Sequence, residues 1–138
     1  MTAKITLQMD PPLLGFEEIN TYILTPVEDN PYFFWLEAED GPKFLLTKPE
    51  YFFPDYLQQV KSFCMSNRAK KEEHAAEEEP DVYVIITLAD KMEEITANLL
   101  APLFVYRQKR QAAQIVLYDS DFTTRHLLFP PAEHRSCG

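Results

Sequence analysis

The sequence predicts a mainly β domain, a small antiparallel barrel or sandwich, and three observations carry that prediction. Apolar and polar residues alternate strictly near the start. Aromatic residues are abundant, with 10 Phe, 7 Tyr and 1 Trp in 138 residues, and Asp, Pro and Gly punctuate the chain at short intervals. One short helix or charged loop is expected around residues 61–79. The whole of 1–138 reads as one domain with a mobile C-terminal tail at 130–138.

Residues 4–9 place Ile5, Leu7 and Met9 on one face and Lys4, Thr6 and Gln8 on the other, the period of a half-buried strand. Asp10-Pro11-Pro12 ends it, because proline cannot donate to a sheet ladder, and Gly15 marks a turn before a short apolar strand at 22–24. Residues 26–31, bounded by prolines, read as a loop. Residues 32–38 and 44–47 then form a hairpin about Asp40-Gly41-Pro42. Two prolines among the aromatics of 49–56 predict an edge strand or an apolar-packed loop. The charged runs Lys70-Lys71-Glu72-Glu73 and Glu77-Glu78-Glu79 suit an exposed helix or a solvated loop, closed by Pro80.

Residues 81–88 are nearly continuous in apolar and β-branched side chains, which predicts a central strand. A helical turn at 90–94 follows, then a strand within 95–106 broken near Pro102. The basic turn at 107–110 leads to a returning strand at 114–118, a second hairpin. About eight or nine short strands in one domain must close on themselves or stack to hide their edges.

Composition excludes several function classes. With 22 acidic against 13 basic side chains the net charge is -9. Phosphate backbones and anionic lipids are repelled, so neither nucleic acid nor membrane is expected as a direct partner, whereas a basic protein surface is attracted. Cys64 and Cys137 form no Cys-x-x-Cys pair and predict no disulfide framework. No leader is evident and no apolar run approaches the roughly 20 residues of a membrane helix, so a cytoplasmic location with reduced thiols is expected.

No cofactor, metal or catalytic residue is predicted. His74, His126 and His134 lack metal-ligand spacing, and His134 with Cys137 supplies only two ligands. The 3 glycines form no phosphate-binding loop. Ser120, His126 and Asp121 share one short segment without elbow glycines, so Asp119-Ser120-Asp121 reads as a hydrogen-bonded turn rather than part of a triad. A pocket lined by Trp35, Tyr83 and Arg125 would suit a small enzyme or ligand-binding barrel, but it brings together no acid, base and nucleophile.

The candidate contact residues are polar groups set among apolar neighbours or at turns. Arg125 lies between Phe122 and Leu127-Leu128-Phe129, and reads either as an edge-strand arginine paired with a carboxylate or as a partner-facing anchor. Asn98 sits among apolar residues and needs hydrogen bonds if buried, which favours a structural role. Glu17, Glu18, Asp119 and Asp121 fall at predicted turns, available either to solvent or to a partner.

Several segments together carry a resemblance: Gly15-Phe16-Glu17, Phe34-Trp35-Leu36, Phe52-Phe53-Pro54-Asp55-Tyr56, Thr96-Ala97-Asn98-Leu99-Leu100-Ala101-Pro102, Gln114-Ile115-Val116-Leu117 and Thr124-Arg125-His126. In order and spacing they resemble the FliW family of flagellar assembly factors. The resemblance implies a small barrel-like β protein, without catalysis, that binds flagellin and also the RNA-binding translational regulator CsrA. It implies relief of CsrA repression by protein not occupied by flagellin, a partner exchange that matches flagellin synthesis to secretion. A dedicated flagellin export chaperone with no CsrA-linked role is the alternative. The family's usual Gly-Leu-Pro-Gly-Phe-Glu turn is here Pro12-Leu13-Leu14-Gly15-Phe16-Glu17, so its backbone is expected to differ. Residues 66–79 are also richer in charge and alanine than the family pattern implies.

Overall fold

The computed structural model describes residues 4–10, 12–39, 41–68, 80–118 and 120–129, the side chains of 63–68 excepted. The strands are β1 Ile5–Met9, β2 Thr21–Val27, β3 Asn30–Ala38, β4 Lys43–Thr47, β5 Asp81–Thr87, β6 Thr96–Ala97, β7 Leu103–Tyr106, β8 Gln111–Gln114 and β9 His126–Leu127; the single α-helix described, α1, is Tyr56–Arg68. Strand order β4-β3-β2-β1-β8-β7-β5, with β5 pairing back onto β4, closes a barrel. From the last residues of β5 the sheet continues outward through β6 to β9. The mainly β, barrel-like fold class is therefore correct.

The strand periodicity builds two apolar layers. On β3, Phe34, Leu36 and Ala38 point into the barrel, while Phe33 and Trp35 point out. On β5, Tyr83 and Ile85 face in and Val82, Val84 and Ile86 face out. This strand is apolar on both sides because both of its faces are covered, which is why its sequence lacks alternation. The inner layer holds Leu7, Met9, Tyr22, Leu24, Leu36, Leu46 and Leu103. The outer layer is covered by Tyr56, Leu57 and Val60 of α1 and by Leu99, Leu117, Phe122 and Leu128 from the later loops.

Several expectations are corrected. One barrel seam is parallel: β1 pairs with β8 through Gln8↔Gln111 and Met9↔Ala112. Ring closure joins the first strand to the last of the barrel, and no hairpin dictates their direction. Residues 26–31 are not a loop; β2 and β3 run through Pro26 and Pro31, and only Glu28-Asp29 turns, with Asp29 at φ 63°. A register shift between Pro26 and Val27 disrupts the ladder there, which accommodates proline at the hairpin end.

Of the two alternatives for residues 49–56, the apolar-packed one holds and the edge strand does not: Phe52 and Phe53 pack against the outer layer. Pro49–Tyr51 is a 3-10 turn with proline in its first turn, where no donor is needed, and α1 starts at Tyr56, earlier than expected. The returning strand of the second hairpin is Gln111–Gln114 rather than 114–118. Arg110 adopts φ 56°, so the chain reverses within residues 107–110 and Tyr106 pairs at once with Gln111. Residues 115–117 leave the sheet and bond to the preceding loop instead, Ile115 N–H to the Pro102 carbonyl at 3.1 Å and Leu117 N–H to the Leu100 carbonyl at 2.8 Å. Residues 69–79 and 130–138 lie outside the described residues.

Candidate functional site

At the first turn, Phe16 N–H donates to the Leu13 carbonyl at 2.9 Å and Gly15 sits at φ +89°. That is the type II turn in which glycine is favoured third and proline second. Leu14 occupies the proline position and keeps an N–H that proline lacks; it donates to Oε1 of Gln114 at 2.9 Å. Leu13 is buried in the inner layer while Leu14 is 62% exposed. The turn thus closes one part of the barrel with one leucine and presents the next to solvent.

Glu17 and Glu18 are both exposed beside this turn. Glu17 is partly committed: its Oε2 accepts from Gly15 N–H at 3.0 Å. Backbone N–H groups, that of Gly15 foremost and its own second, hold its carboxyl below the usual glutamate value. Glu18 is exposed at the next position.

Gln114 is the link that sequence reasoning missed. Its Nε2 donates to the Ala101 carbonyl at 3.3 Å, so one side chain joins the first turn to the loop of residues 98–102. In that loop Asn98 is half-buried, with Oδ1 accepting from Ala101 N–H at 3.1 Å and its own N–H donating to the Ile85 carbonyl at 2.9 Å. The side-chain oxygen thus has the partner that its apolar surroundings require. The next residues, Leu99 and Leu100, both donate to the Thr123 carbonyl, at 3.0 and 3.2 Å. A continuous chain of hydrogen bonds therefore runs from the Glu17 turn through Gln114 and Asn98 to the segment that carries Asp121 and Arg125.

Asp121 and Arg125 are both exposed at turns of that segment, and Ser120 Oγ donates to the Leu117 carbonyl at 2.7 Å to fix its start. The hydrogen-bonded turn expected at Ser120 is thus observed; Asp119 lies outside the described residues. Arg125 precedes the edge strand β9, whose Ala97↔His126 pairing anchors it to β6. In the sequence Gln114 opens one of the segments that carry the family resemblance and reads as the start of a strand; nothing there marks it as a bridge.

The pocket imagined from Trp35, Tyr83 and Arg125 is not assembled. Tyr83 is buried in the inner layer, where its hydroxyl accepts from Arg107 at 2.7 Å, and Arg107 also pairs with Asp81 at 2.6 Å. Burial pushes the Tyr83 hydroxyl pKa up to about 12 despite the nearby guanidinium. Trp35 instead lines an outer groove that includes neither Tyr83 nor Arg125. Among the described residues no three His, Cys, Asp or Glu side chains are grouped to hold a metal ion, and no helix is long and apolar enough to cross a membrane.

A family model described as FliW protein matches residues 1–128. The flagellar assembly factor FliW of Geobacillus kaustophilus is 33% identical over 118 residues, 84% of this chain and 78% of the relative. That of Heliobacterium modesticaldum is 34% identical over 118 residues, 84% of this chain and 74% of the relative. A crystal structure of the flagellar assembly factor FliW superposes with a TM-score of 0.71 at 29% identity, covering 91% of this chain and 86% of that one. Sequence and barrel agree over nearly the full length, and the chain belongs to the FliW family of flagellar assembly factors.

Proposed function

We propose that the chain is a cytoplasmic protein-binding regulator that binds flagellin and antagonises the translational repressor CsrA, coupling flagellin synthesis to secretion. Family membership over residues 1–128 carries this reading. Charge supports it, because an RNA-binding regulator is expected to carry basic surface, which a protein of net charge -9 attracts at long range. The reading assigns no chemical step to any residue.

Glu17, Glu18, Asn98, Asp119, Asp121 and Arg125 are assigned to partner contact. In support, Gln114 joins the turn that Glu17 ties to the loop of Asn98, and Leu99 and Leu100 bond that loop to Thr123, between Asp121 and Arg125 in the chain. Asn98 acts there by shaping its loop. Reversing Glu17 and Glu18 to Lys is expected to slow association with CsrA and flatten its salt dependence, measured by stopped-flow across a salt series. Unchanged kinetics would remove both glutamates from the interface.

The deciding experiment is a calorimetric titration of the protein into CsrA, repeated with the protein saturated by flagellin. Binding that vanishes in the second titration is the expected outcome and marks a mutually exclusive switch. Binding to flagellin with none to CsrA would sink the regulatory reading in favour of a dedicated export chaperone.

A further inference from the structure

The outer apolar layer is incompletely covered. Between the β2–β3 hairpin end, the loop of residues 88–95 and the last described residues lies a groove of about 380 Å³, walled almost wholly by apolar groups including Phe33, Trp35, Leu88, Met92, Ile95 and Phe129. Leu88 is 62% and Met92 65% exposed, an arrangement that costs hydration free energy in the free protein without any return in packing. Volume and lining fall within the range of sites that take side chains of a ligand.

The turns that carry these lining residues are acidic. Glu28 and Asp29 lie between Val27 and Asn30, Asp90 between Leu88 and Met92, and Glu93 with Glu94 between Met92 and Ile95; all five are exposed. Lys91 is the cation among them. Lys43 lies over the Trp35 ring at 4.3 Å but is paired with Glu37 at 3.2 Å. The floor offers no free sheet edge, since Phe33 pairs with Thr47 and Trp35 with Leu45 in the β3–β4 ladder. An occupant resting on that floor therefore binds through side chains; the edge strand β9, beside Leu128 and Phe129, offers only two residues for strand addition, and an apolar groove of this kind receives an amphipathic helix.

We infer that this groove is a docking site for an amphipathic helix of a partner protein, its apolar face seated on Trp35 and Met92 and its flanks basic. The inference rests on the protein-binding reading above and names a surface and a ligand chemistry that this reading lacks. Trp35 is the single tryptophan of the chain, so its emission reports on the groove directly.

The test uses a synthetic helical peptide with leucine at i, i+3, i+4 and i+7 and lysine elsewhere, together with a version carrying glutamate in place of lysine. The lysine peptide is expected to shift Trp35 emission saturably to shorter wavelength, more weakly at high salt. The exposed-site variants Leu88→Asp and Met92→Asp are each expected to weaken it about tenfold or more, in line with loss of an apolar anchor. Equal response to both peptides, or no effect of either substitution, overturns the inference. So does emission that shifts with protein concentration alone alongside a dimer mass, which would give the groove to a second copy. Emission already at short wavelength and unresponsive would give it to residues 130–138 of the same chain, and overturns it too. Wild-type protein that binds flagellin and CsrA but no peptide refutes the groove while leaving the partner reading intact.

Discussion

The inner and outer apolar layers are built from the same strands yet end differently. Inside, the side chains of the closed barrel meet one another from all directions, and Leu7, Tyr22, Leu36, Leu46, Tyr83 and Leu103 have no exposed surface. Outside, the opposite faces of β3, β4 and β5 depend on a separate cover made by α1 and the later loops, and that cover stops short of Phe33, Trp35 and Leu45. Closure fills most of the core from the strands themselves, with Leu13 of the first turn completing it. A layer that must be roofed by loops can be left open, and the opening is where binding is available without disturbing the barrel.

The largest effect expected from this difference is a contrast of two leucines. Leu36→Ala, in the barrel, should lose about 2–5 kcal/mol through lost transfer energy and an unfilled cavity. Leu88→Ala, on the groove rim, should stay within about 0.5 kcal/mol of the parent, because the side chain is mostly in water already. Urea unfolding of both variants measures it. Comparable losses would mean that the groove is part of the folded core, and the comparison would fail.

A smaller effect tests how firmly the outer cover is fastened. Tyr56, at the start of α1, is buried and its hydroxyl donates to the Leu99 carbonyl at 2.6 Å, joining the helix to the loop over β5. Tyr56→Phe leaves that carbonyl without this donor and should cost about 1–3 kcal/mol. Hydrogen exchange should speed in α1 and residues 98–101 ahead of β1 to β3, since outer-layer opening need not break the barrel. Uniform acceleration would show the two layers unfolding as one.

Smaller still is the expected change at Tyr22, whose buried hydroxyl finds no hydrogen-bond partner among the described residues. Tyr22→Phe removes a desolvated polar atom and no bond, so stability should be unchanged or raised by up to about 1 kcal/mol. A clear loss in thermal unfolding would instead reveal a partner for that hydroxyl and a barrel interior less uniformly apolar than its lining.

What the sequence made legible follows the same division. Alternation in β1 and the two-sided apolar run of β5 marked strands directly, since strand periodicity depends on near neighbours. The parallel β1–β8 seam was hidden, because it is set by ring closure between residues about a hundred positions apart in a fold whose other pairings are antiparallel. Asn98 announced its need for hydrogen bonds, while Gln114, which joins the first turn to the Asn98 loop, looked like any polar strand residue. Phe33 likewise reads as an ordinary strand aromatic, and Trp35 suggests a pocket with Tyr83 and Arg125 rather than a groove with Phe33; that the face of Phe33 and Trp35 is left uncovered depends on where residues 88–95 and 128–129 settle.

The smallest effect concerns how the first turn is held against the barrel. Leu13 is buried in the inner layer and Phe16 meets Phe44 edge-to-face at 5.3 Å, so the turn that Glu17 ties through Gly15 N–H belongs to the barrel's closure even though Glu17 is exposed. Its folded pKa lies below the ordinary glutamate value of the unfolded chain. The stabilisation is therefore complete above that ordinary value and disappears as pH falls through the lowered folded one. Glu17→Gln removes the charge, so the parent should melt slightly higher at neutral pH and the gap should close in acid. Thermal melts of both proteins across that range measure the difference, and a gap of the same size in acid would mean that carboxylate charge does not hold the turn. Solvent screening keeps the effect small, in contrast to Leu36, and that contrast sets the barrel's apolar filling above the polar ties at its rim.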